Sequence, residues 1–246
     1  MVGVVRYYTN QADALAGGLA PASSGSYTVQ SELGYNFWMV ASNSTGSSPP
    51  GITYGVGYAL NPSGSYFLYP AAVCFKEGSK ILCQVDGKET NILVENLVPG
   101  TLVKTSRDGL KKVALVGKGT IENPGSSERI ESRLYKCSAD KYPELKEDLI
   151  ITGCHSILVD ELTEEQRADT IKRLGKIFVT DRKYRLMACV DERAEPLKEP
   201  GVHTIYHFAL EDEDELRNFG VYANGGLLVE TCSIKTLKNK SNLVIV

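Results

Sequence analysis

Three side chains in this sequence could together cut a peptide bond: a thiol, a hydroxyl and an imidazole. Cys74 opens a charged, regularly patterned stretch, and Thr152 and His155 lie three residues apart further along the chain. A thiol that attacks the carbonyl of the residue before it replaces the amide with a thioester, and it needs groups that manage protons and stabilise the developing oxyanion. The residue before Cys74 is Val73. These residue types therefore indicate chemistry on the Val73–Cys74 bond.

The two residues of the Thr-x-x-His pair suit different parts of that reaction. The imidazole of His155 can protonate an amine as it leaves, because its ordinary pKa lies near neutrality. The Thr152 hydroxyl can polarise the scissile carbonyl or hold the peptide out of plane, which weakens the amide resonance. Each residue also has a plainer interpretation, Cys74 as a small buried residue and His155 as a hydrogen-bonded strand histidine.

The elements that must position these residues are mostly short β-strands. After Cys74, alternating apolar segments are separated by turn dipeptides at 86–87, 99–100 and 108–109. Such spacing predicts an all-β core. The apolar segment 149–159 is a strand with a polar interruption, and that interruption contains Cys154 and His155. Residues 121–130 are predicted to form an exposed loop.

One helix and one closing hairpin complete the predicted elements. Thr163 and Gln166 form a capping-box pattern, and Gly175 can end the helix that they begin. Asn224-Gly225 predicts the turn of the closing hairpin. The acidic run 211–215 reads as a solvated loop.

Three segments, in this order, resemble the blocks of the Hint family, the autoprocessing modules of hedgehog proteins, inteins and bacterial or viral relatives. The first block is matched by Cys74-Phe75-x-x-Gly78-Ser79-x-Ile81 with Val94-Glu95-x-Leu97-x-x-Gly100-x-x-Val103-x-Thr105. The second is matched by Thr152-x-x-His155, and the last by Tyr206-His207-Phe208-Ala209-Leu210 with Val221-Tyr222-Ala223-Asn224-Gly225. The resemblance covers Cys74 to about Ile234 and is nearest to the Hint-like modules of bacteria and large DNA viruses.

The resemblance implies a mainly β fold, a Hint-type horseshoe of β-hairpins with one short helix. It implies that Cys74 attacks the carbonyl of Val73 in an N-to-S acyl shift, assisted by Thr152 and His155. A small nucleophile (water, a thiol or an alcohol) would then release residues 1–73, without a cofactor or a metal. The protein would at most be a single-turnover cysteine autoprotease.

The closing segment departs from the intein pattern. Inteins end in His-Asn before a nucleophile, whereas Glu230-Thr231 stand here before Cys232, so splicing is not expected. The position of Cys232 is similar to that of a late cysteine in hedgehog modules, which helps the second step. Cys232 is therefore a candidate for that role, and the alternative is a cysteine packed in the terminal strand. His207 replaces the family's aspartate, either as a proton-transfer group or as a buried, hydrogen-bonded histidine. The β-branched Val73 crowds its own carbonyl and should slow attack.

Charge divides the chain at the same place as the chemistry. The protein has 246 residues with 27 Lys or Arg and 30 Asp or Glu, and only Arg6, Asp13 and Glu32 precede Cys74. We therefore predict an N-terminal segment (1–73), a Hint-like domain (74–234) and a C-terminal tail (235–246). The neutral N-terminal segment, rich in Gly, Ser and Tyr, is a small β-rich module or an extended arm that docks on a protein partner, or else a flexible linker.

Composition excludes several other classes. A net charge of -3 gives no basic surface for nucleic acid. No apolar run is long enough to span a membrane, and the start lacks the pattern of a secretory signal. Six scattered cysteines fit an intracellular, reducing compartment. A zinc site that uses Cys154 and His155 lacks the usual ligand spacing.

A structural role is the alternative to autoprocessing. The neutral segment 1–73, Val73 and the missing His-Asn favour an interaction protein, such as a virus-particle component, that keeps a Hint fold with slow or lost activity. That role would make the protein virion-associated. Retention of Cys74, Thr152 and His155 favours cleavage.

Overall fold

The computed structural model describes residues 4–8, 24–25, 38–42, 56–60, 66–70, 73–239, 241 and 243–246, with side chains from Val73 onward. The chain divides into two compact units, Met1–Ala71 and Ala72–Val246. Both are built from antiparallel strands, and the fold is mainly β, as the sequence predicted.

The first unit contains a five-stranded antiparallel sheet in the order β2-β1-β3-β5-β4. Its strands are β1 (Val4–Tyr8), β2 (Ser24–Gly25), β3 (Trp38–Ser42), β4 (Val56–Leu60) and β5 (Tyr66–Pro70). The aromatic runs 35–40 and 64–69, which read as strands, overlap β3 and β5. Residues 35–37 and 64–65 of those runs lie outside the described residues.

The second unit forms one continuous network of 15 strands among the described residues. They are β6 (Phe75–Lys76), β7 (Lys80–Val85), β8 (Lys88–Leu93), β9 (Leu102–Lys104), β10 (Leu110–Asn123), β11 (Leu134–Cys137), β12 (Leu149–Thr152), β13 (Ser156–Val159), β14 (Val179–Thr180), β15 (Lys183–Met187), β16 (Glu195–Pro196), β17 (Gly201–Leu210), β18 (Gly220–Ala223), β19 (Leu227–Glu230) and β20 (Val244–Ile245). The main path is β14-β15-β13-β19-β18-β7-β9-β10-β17-β6-β12-β11-β16, with β8 on β7 and β20 on β10.

Local sequence explains the tight turns of this unit. Asp86 and Gly87 have φ of 49° and 76° and connect β7 to β8 across the Val85–Lys88 pair. Two successive positive φ values are what a two-residue hairpin turn with the right-handed strand twist requires. Asn224 and Gly225, with φ of 43° and 111°, turn β18 into β19. Both predicted hairpins are confirmed.

The predicted helix is also confirmed, as α1 (Glu164–Leu174). Thr163 caps it: its hydroxyl accepts from the Gln166 N–H, and the Gln166 side chain accepts from the Thr163 N–H. Gly175 ends it in the left-handed conformation at φ 75°. These bonds satisfy backbone groups that a helix end would otherwise leave unpaired.

Two segments differ from the sequence-based expectation. The predicted tail 235–246 belongs to the second unit, since it supplies most of α2 (Ile234–Asn239) and all of β20, which pairs with β10. The predicted loop 121–130 begins later than expected, because β10 continues to Asn123. That last residue of β10 still pairs with Gly201 of β17. Asn123 is buried and donates hydrogen bonds to the carbonyls of Leu197 and Glu199.

The short strand β6 brings the candidate site residues together. It lies between β12 and β17, with Phe75 opposite Ile151 of β12 and Tyr206 of β17. β12 ends at Thr152, and His207 follows Tyr206 on β17. The residues around Cys74 therefore come from three neighbouring strands of the network.

Candidate active site

Thr152 holds the backbone of Cys74 on both sides. The Cys74 N–H, which belongs to the Val73–Cys74 amide, donates to the Thr152 hydroxyl at 2.9 Å. The Thr152 N–H donates to the Cys74 carbonyl at 3.0 Å. Both residues are fully buried, so these bonds form away from water. The Thr152 hydroxyl thus contacts the nitrogen of the Val73–Cys74 peptide bond.

A sharp corner at Gly153 allows β12 and β13 to belong to different parts of the sheet. The Gly153 N–H donates to the Arg133 carbonyl at 2.8 Å, and the His155 N–H donates to the Thr152 carbonyl at 3.0 Å. A Cβ atom at Gly153 would lie 2.6 Å from the Ile130 carbonyl oxygen. The polar interruption in the apolar segment is therefore a corner that only glycine fits, and it turns His155 back beside Thr152.

His155 is held in one orientation by the end of β19. Its Nε2 donates to the Glu230 carbonyl at 3.1 Å, since a carbonyl oxygen can only accept. In the neutral ring, Nδ1 is then the unprotonated nitrogen. Nδ1 makes no well-formed hydrogen bond among the described residues, although the Cys74 backbone is close enough to influence the ring.

The electrostatics of His155 differ from the sequence-based expectation. Burial lowers its pKa to about 4, and the backbone of Cys74 and of Glu230 acts weakly in the opposite direction. The ring is therefore neutral at pH 7 and is placed to accept a proton before it can give one. Sequence alone could suggest only the ordinary pKa, because the desolvation that shifts it comes from the fold.

His207 lies beside His155 in the same buried space. The two ring centroids are 5.2 Å apart, and Phe75 packs against both rings at 4.4 Å from His155 and 5.6 Å from His207. Neither His207 nitrogen has a hydrogen-bond partner among the described residues. Burial, with His155 next, holds the pKa of His207 well below its usual range. His207 is thus buried as expected, without the hydrogen bonds that a structural histidine would make.

The Cys74 thiol lies in apolar surroundings. Cys74 forms a small buried cluster with Leu134 and Ile205. Burial raises the pKa of the thiol well above its usual value, and the neighbouring thiols of Cys154 and Cys232 raise it further. Cys74 is therefore a neutral thiol at pH 7, and it would have to lose its proton before it could act as a nucleophile.

Two further thiols approach this region. Cys232 is 8% exposed, and its N–H donates to the Phe208 carbonyl at 3.2 Å. Burial, followed by Glu230, raises the pKa of Cys232 to about 12. Cys154 Sγ lies 3.6 Å from the Thr152 hydroxyl. The structure thus brings Cys154 to the same hydroxyl that binds the Cys74 N–H, a contact that spacing did not predict.

Sequence reasoning missed the side-chain role of Glu230. Its carboxylate is buried, lies 2.6 Å from Arg185 Nε and accepts from the Thr180 hydroxyl at 2.5 Å. Burial raises the pKa of this carboxyl, and Arg185 opposes the shift. Because its carbonyl also binds His155, Glu230 connects the ring to a partly buried ion pair. An acidic residue at the end of the apolar strand Leu227–Glu230 was the available signal.

The arrangement can serve proton transfer around a buried amide. Thr152 binds the Cys74 nitrogen, and the Nδ1 atom of His155 has no hydrogen-bond partner among the described residues although the Cys74 backbone is close to the ring. Among the described residues, no group of three His, Cys, Asp or Glu side chains is arranged to hold a metal ion. No helix of the described part of the chain is long and apolar enough to cross a membrane.

Comparison with known proteins leaves the site's geometry as the main guide to function. No protein-family model matches this sequence, and no curated protein matches it.

Proposed function

We propose that the protein is a Hint-type autoprocessing protein that cleaves its own Val73–Cys74 bond and releases residues 1–73. One observation carries the proposal: the N–H of that amide is bound by Thr152 at 2.9 Å, in a buried site that also contains His155. If Thr152 served only to end its strand, the residue that it binds would not have to be a cysteine, and position 155 would not have to be a histidine.

The first step is an acyl shift from nitrogen to sulfur. Cys74 Sγ bonds to the Val73 carbonyl carbon, and the thiol proton passes to the neutral Nδ1 of His155. The bond from that carbon to the Cys74 nitrogen breaks, and His155 returns the proton to the departing nitrogen. The hydrogen bond from the Cys74 N–H to Thr152 fixes the nitrogen beside these groups. The product is a thioester with a free Cys74 amine, which a small nucleophile then opens.

Cleavage by this route is expected to be slow. The proton moves from a thiol whose pKa is raised to an imidazole whose pKa is lowered to about 4, both through burial. Each pKa unit of mismatch adds about 1.4 kcal/mol to that transfer. The crowded carbonyl of Val73 works in the same direction.

A structural or interaction protein with a Hint-type fold is the second candidate, for example a virus-particle component that uses residues 1–73 to bind a protein partner. The apolar packing of Cys74 against Leu134 and Ile205 favours it, because a thiol there also serves as a plain core residue.

Incubation of the purified chain with hydroxylamine or dithiothreitol, followed by intact-mass measurement, separates the two candidates. The wild type should split between Val73 and Cys74, and Cys74→Ala should remain whole. Cys83→Ala is the matched control, since Cys83 is equally buried on β7 and should leave cleavage unchanged. If the wild type keeps its full mass after incubation with each of the two reagents, the autoprocessing proposal is wrong and the structural role stands.

A further inference from the structure

Three buried ring nitrogens at the candidate active site have no partner. They are His155 Nδ1 and both nitrogens of His207, among described residues in which most buried polar atoms are paired. A buried polar atom without a hydrogen bond destabilises the folded protein, because it has lost its bonds to water. Because the three nitrogens lie on two rings that pack edge to face, one shared polar molecule accounts for them better than three independent losses.

The close packing of the two rings limits a bound molecule to the size of water, placed beside the rings and not between them. The rings are edge to face with centroids 5.2 Å apart and an angle of 62° between their planes. A bridging oxygen needs about 2.7–3.2 Å to each nitrogen. Phe75 packs against both rings and offers the ring nitrogens no hydrogen-bond partner. His155 and His207 are 0% and 1% exposed, so a larger molecule such as a lipid alcohol would have to displace buried side chains.

The donors and acceptors also match. The bond from His155 Nε2 to Glu230 leaves Nδ1 as an acceptor. A neutral His207 carries one N–H donor and one acceptor nitrogen. Water can donate to the first ring and either donate to or accept from the second. Burial keeps both imidazoles neutral, so both can accept a proton.

We propose that His155 and His207 hold one water molecule, and that this water is the nucleophile that releases residues 1–73. The second half of the proposal rests on the proposed function. The water oxygen bonds to the Val73 carbonyl carbon of the thioester, and the carbon–sulfur bond breaks. The water proton goes to a His207 nitrogen, and the Cys74 sulfur takes up a proton. The products are a carboxylic acid at Val73 and a free thiol at Cys74.

Release into plain buffer and release by hydroxylamine distinguish the water step from the acyl shift. Hydroxylamine supplies its own nucleophile, whereas plain buffer relies on the held water. His207→Phe keeps an aromatic ring but removes both nitrogens. We expect it to lower the ratio of the buffer rate to the hydroxylamine rate at least about tenfold, since a positioned base contributes about 10²–10⁴-fold. His203→Phe, on the same strand, should keep the wild-type ratio.

An unchanged ratio in His207→Phe overturns the proposal, and so does a wild type that cleaves with hydroxylamine but never in buffer. A wild type that resists hydroxylamine overturns the proposed function instead. In that case the water site is still tested by a crystal structure of the full-length Cys74→Ala chain at about 1.5 Å resolution. Electron density for a water within hydrogen-bond distance of His155 Nδ1 and His207 supports the site. Well-ordered rings without it overturn the site.

Discussion

At the scale of single residues, burial explains both the alignment of the candidate site and the slow cleavage that we expect of it. Burial aligns Cys74, Thr152 and His155 without competition from solvent, yet it also raises the pKa of the thiol and lowers that of the imidazole. Desolvation always disfavours the charged form. A buried site therefore favours proton transfers in which the charged form is short-lived, such as one proton relay in a single turnover.

The Thr152 hydroxyl can be tested apart from its methyl group. Thr152→Val keeps the shape and removes the acceptor for the Cys74 N–H, whereas Thr152→Ser keeps the acceptor. We expect hydroxylamine-induced cleavage to fall about 100- to 1000-fold in the valine variant, as on removal of one catalytic hydrogen bond. The serine variant should stay within about threefold of wild type. Equal rates in the valine variant and wild type would show that the bond is only structural.

Protonation of His155 should couple stability to pH. Its native pKa of about 4 lies below the ordinary value of 6.5, so the unfolded chain binds the proton more tightly. The stability due to the neutral ring is complete above about pH 6.5 and is lost as pH falls toward 4, by about 3 kcal/mol if the whole shift is realised. Urea unfolding of the Cys74→Ala chain between pH 4.5 and 7 measures this.

Other groups also titrate in that range, so the slope must be compared between variants. Addition of His155→Gln to the Cys74→Ala background should flatten the pH dependence, and His203→Gln should leave it as it is. A slope that His155→Gln does not alter would contradict the assigned burial effect.

At this scale, sequence could indicate which residue types serve the reaction but not their electrostatics. Thr152 and Cys74 are 78 positions apart, and only the order of motifs suggested that they meet. Neither His207 nitrogen has a hydrogen-bond partner among the described residues, and this follows from all the side chains packed around the ring, which sequence does not reveal. Glu230 was overlooked because its carbonyl, which any residue could supply, binds His155.

At the scale of elements, the corner between β12 and β13 determines the site. It ends one strand at Thr152 and begins the next at Ser156, with His155 on the turn. The Gly153 N–H is bound by Arg133, and its carbonyl accepts from the Cys189 N–H at 2.9 Å. Neighbouring backbone thus surrounds the corner on two sides and leaves no room for a side chain.

Gly153→Ala should therefore damage both stability and cleavage. The added Cβ would meet the carbonyl oxygens of Ile130 and Glu131 at 2.6 Å and 2.9 Å, and backbone cannot move aside cheaply. We expect a loss of about 1–3 kcal/mol in the free energy of unfolding, as overpacking usually causes. Gly119→Ala is the matched control: its Cβ would lie 2.7 Å from the end of the flexible Leu243 side chain and in ordinary contact with Ile205 at 4.0 Å. Urea unfolding should show the larger loss at Gly153.

Elements with local signals were predictable, and those defined by distant pairing were not. The capping box at Thr163 and the Asp86-Gly87 turn depend on residues within four positions, and both are present. The end of β10 depends on its pairing with Gly201–His203, almost 80 positions away. The same is true of β20, whose two residues pair with β10.

At the scale of the whole molecule, the change in charge and the division into compact units nearly coincide. The boundary between the compact units falls in the sequence between Ala71 and Ala72, two residues before the Val73–Cys74 bond. A cut at that bond would therefore fall at the edge of the second unit and spare its strand network. Release of residues 1–73 need not disturb the sheet that holds Thr152 and His155.

A chain that begins at Ala72 should consequently fold by itself. All 15 strands of its network and the helices α1 and α2 lie within residues 72–246, and its core is built from residues of that range. We expect its melting temperature, followed by circular dichroism, to lie within about 5 °C of the second unit's transition in the full Cys74→Ala chain. For a domain of this size, that margin corresponds to about 1–2.5 kcal/mol in the free energy of unfolding.

A chain that begins at Leu102 is the control, because it lacks β6, β7 and β8 and leaves β12 and β17 without the strand between them. It should fail to melt cooperatively. If the chain from Ala72 also fails, the second unit depends on residues 1–71 for its stability. Cleavage would then be a step that unfolds the module, and residues 1–71 would be part of the fold that performs it.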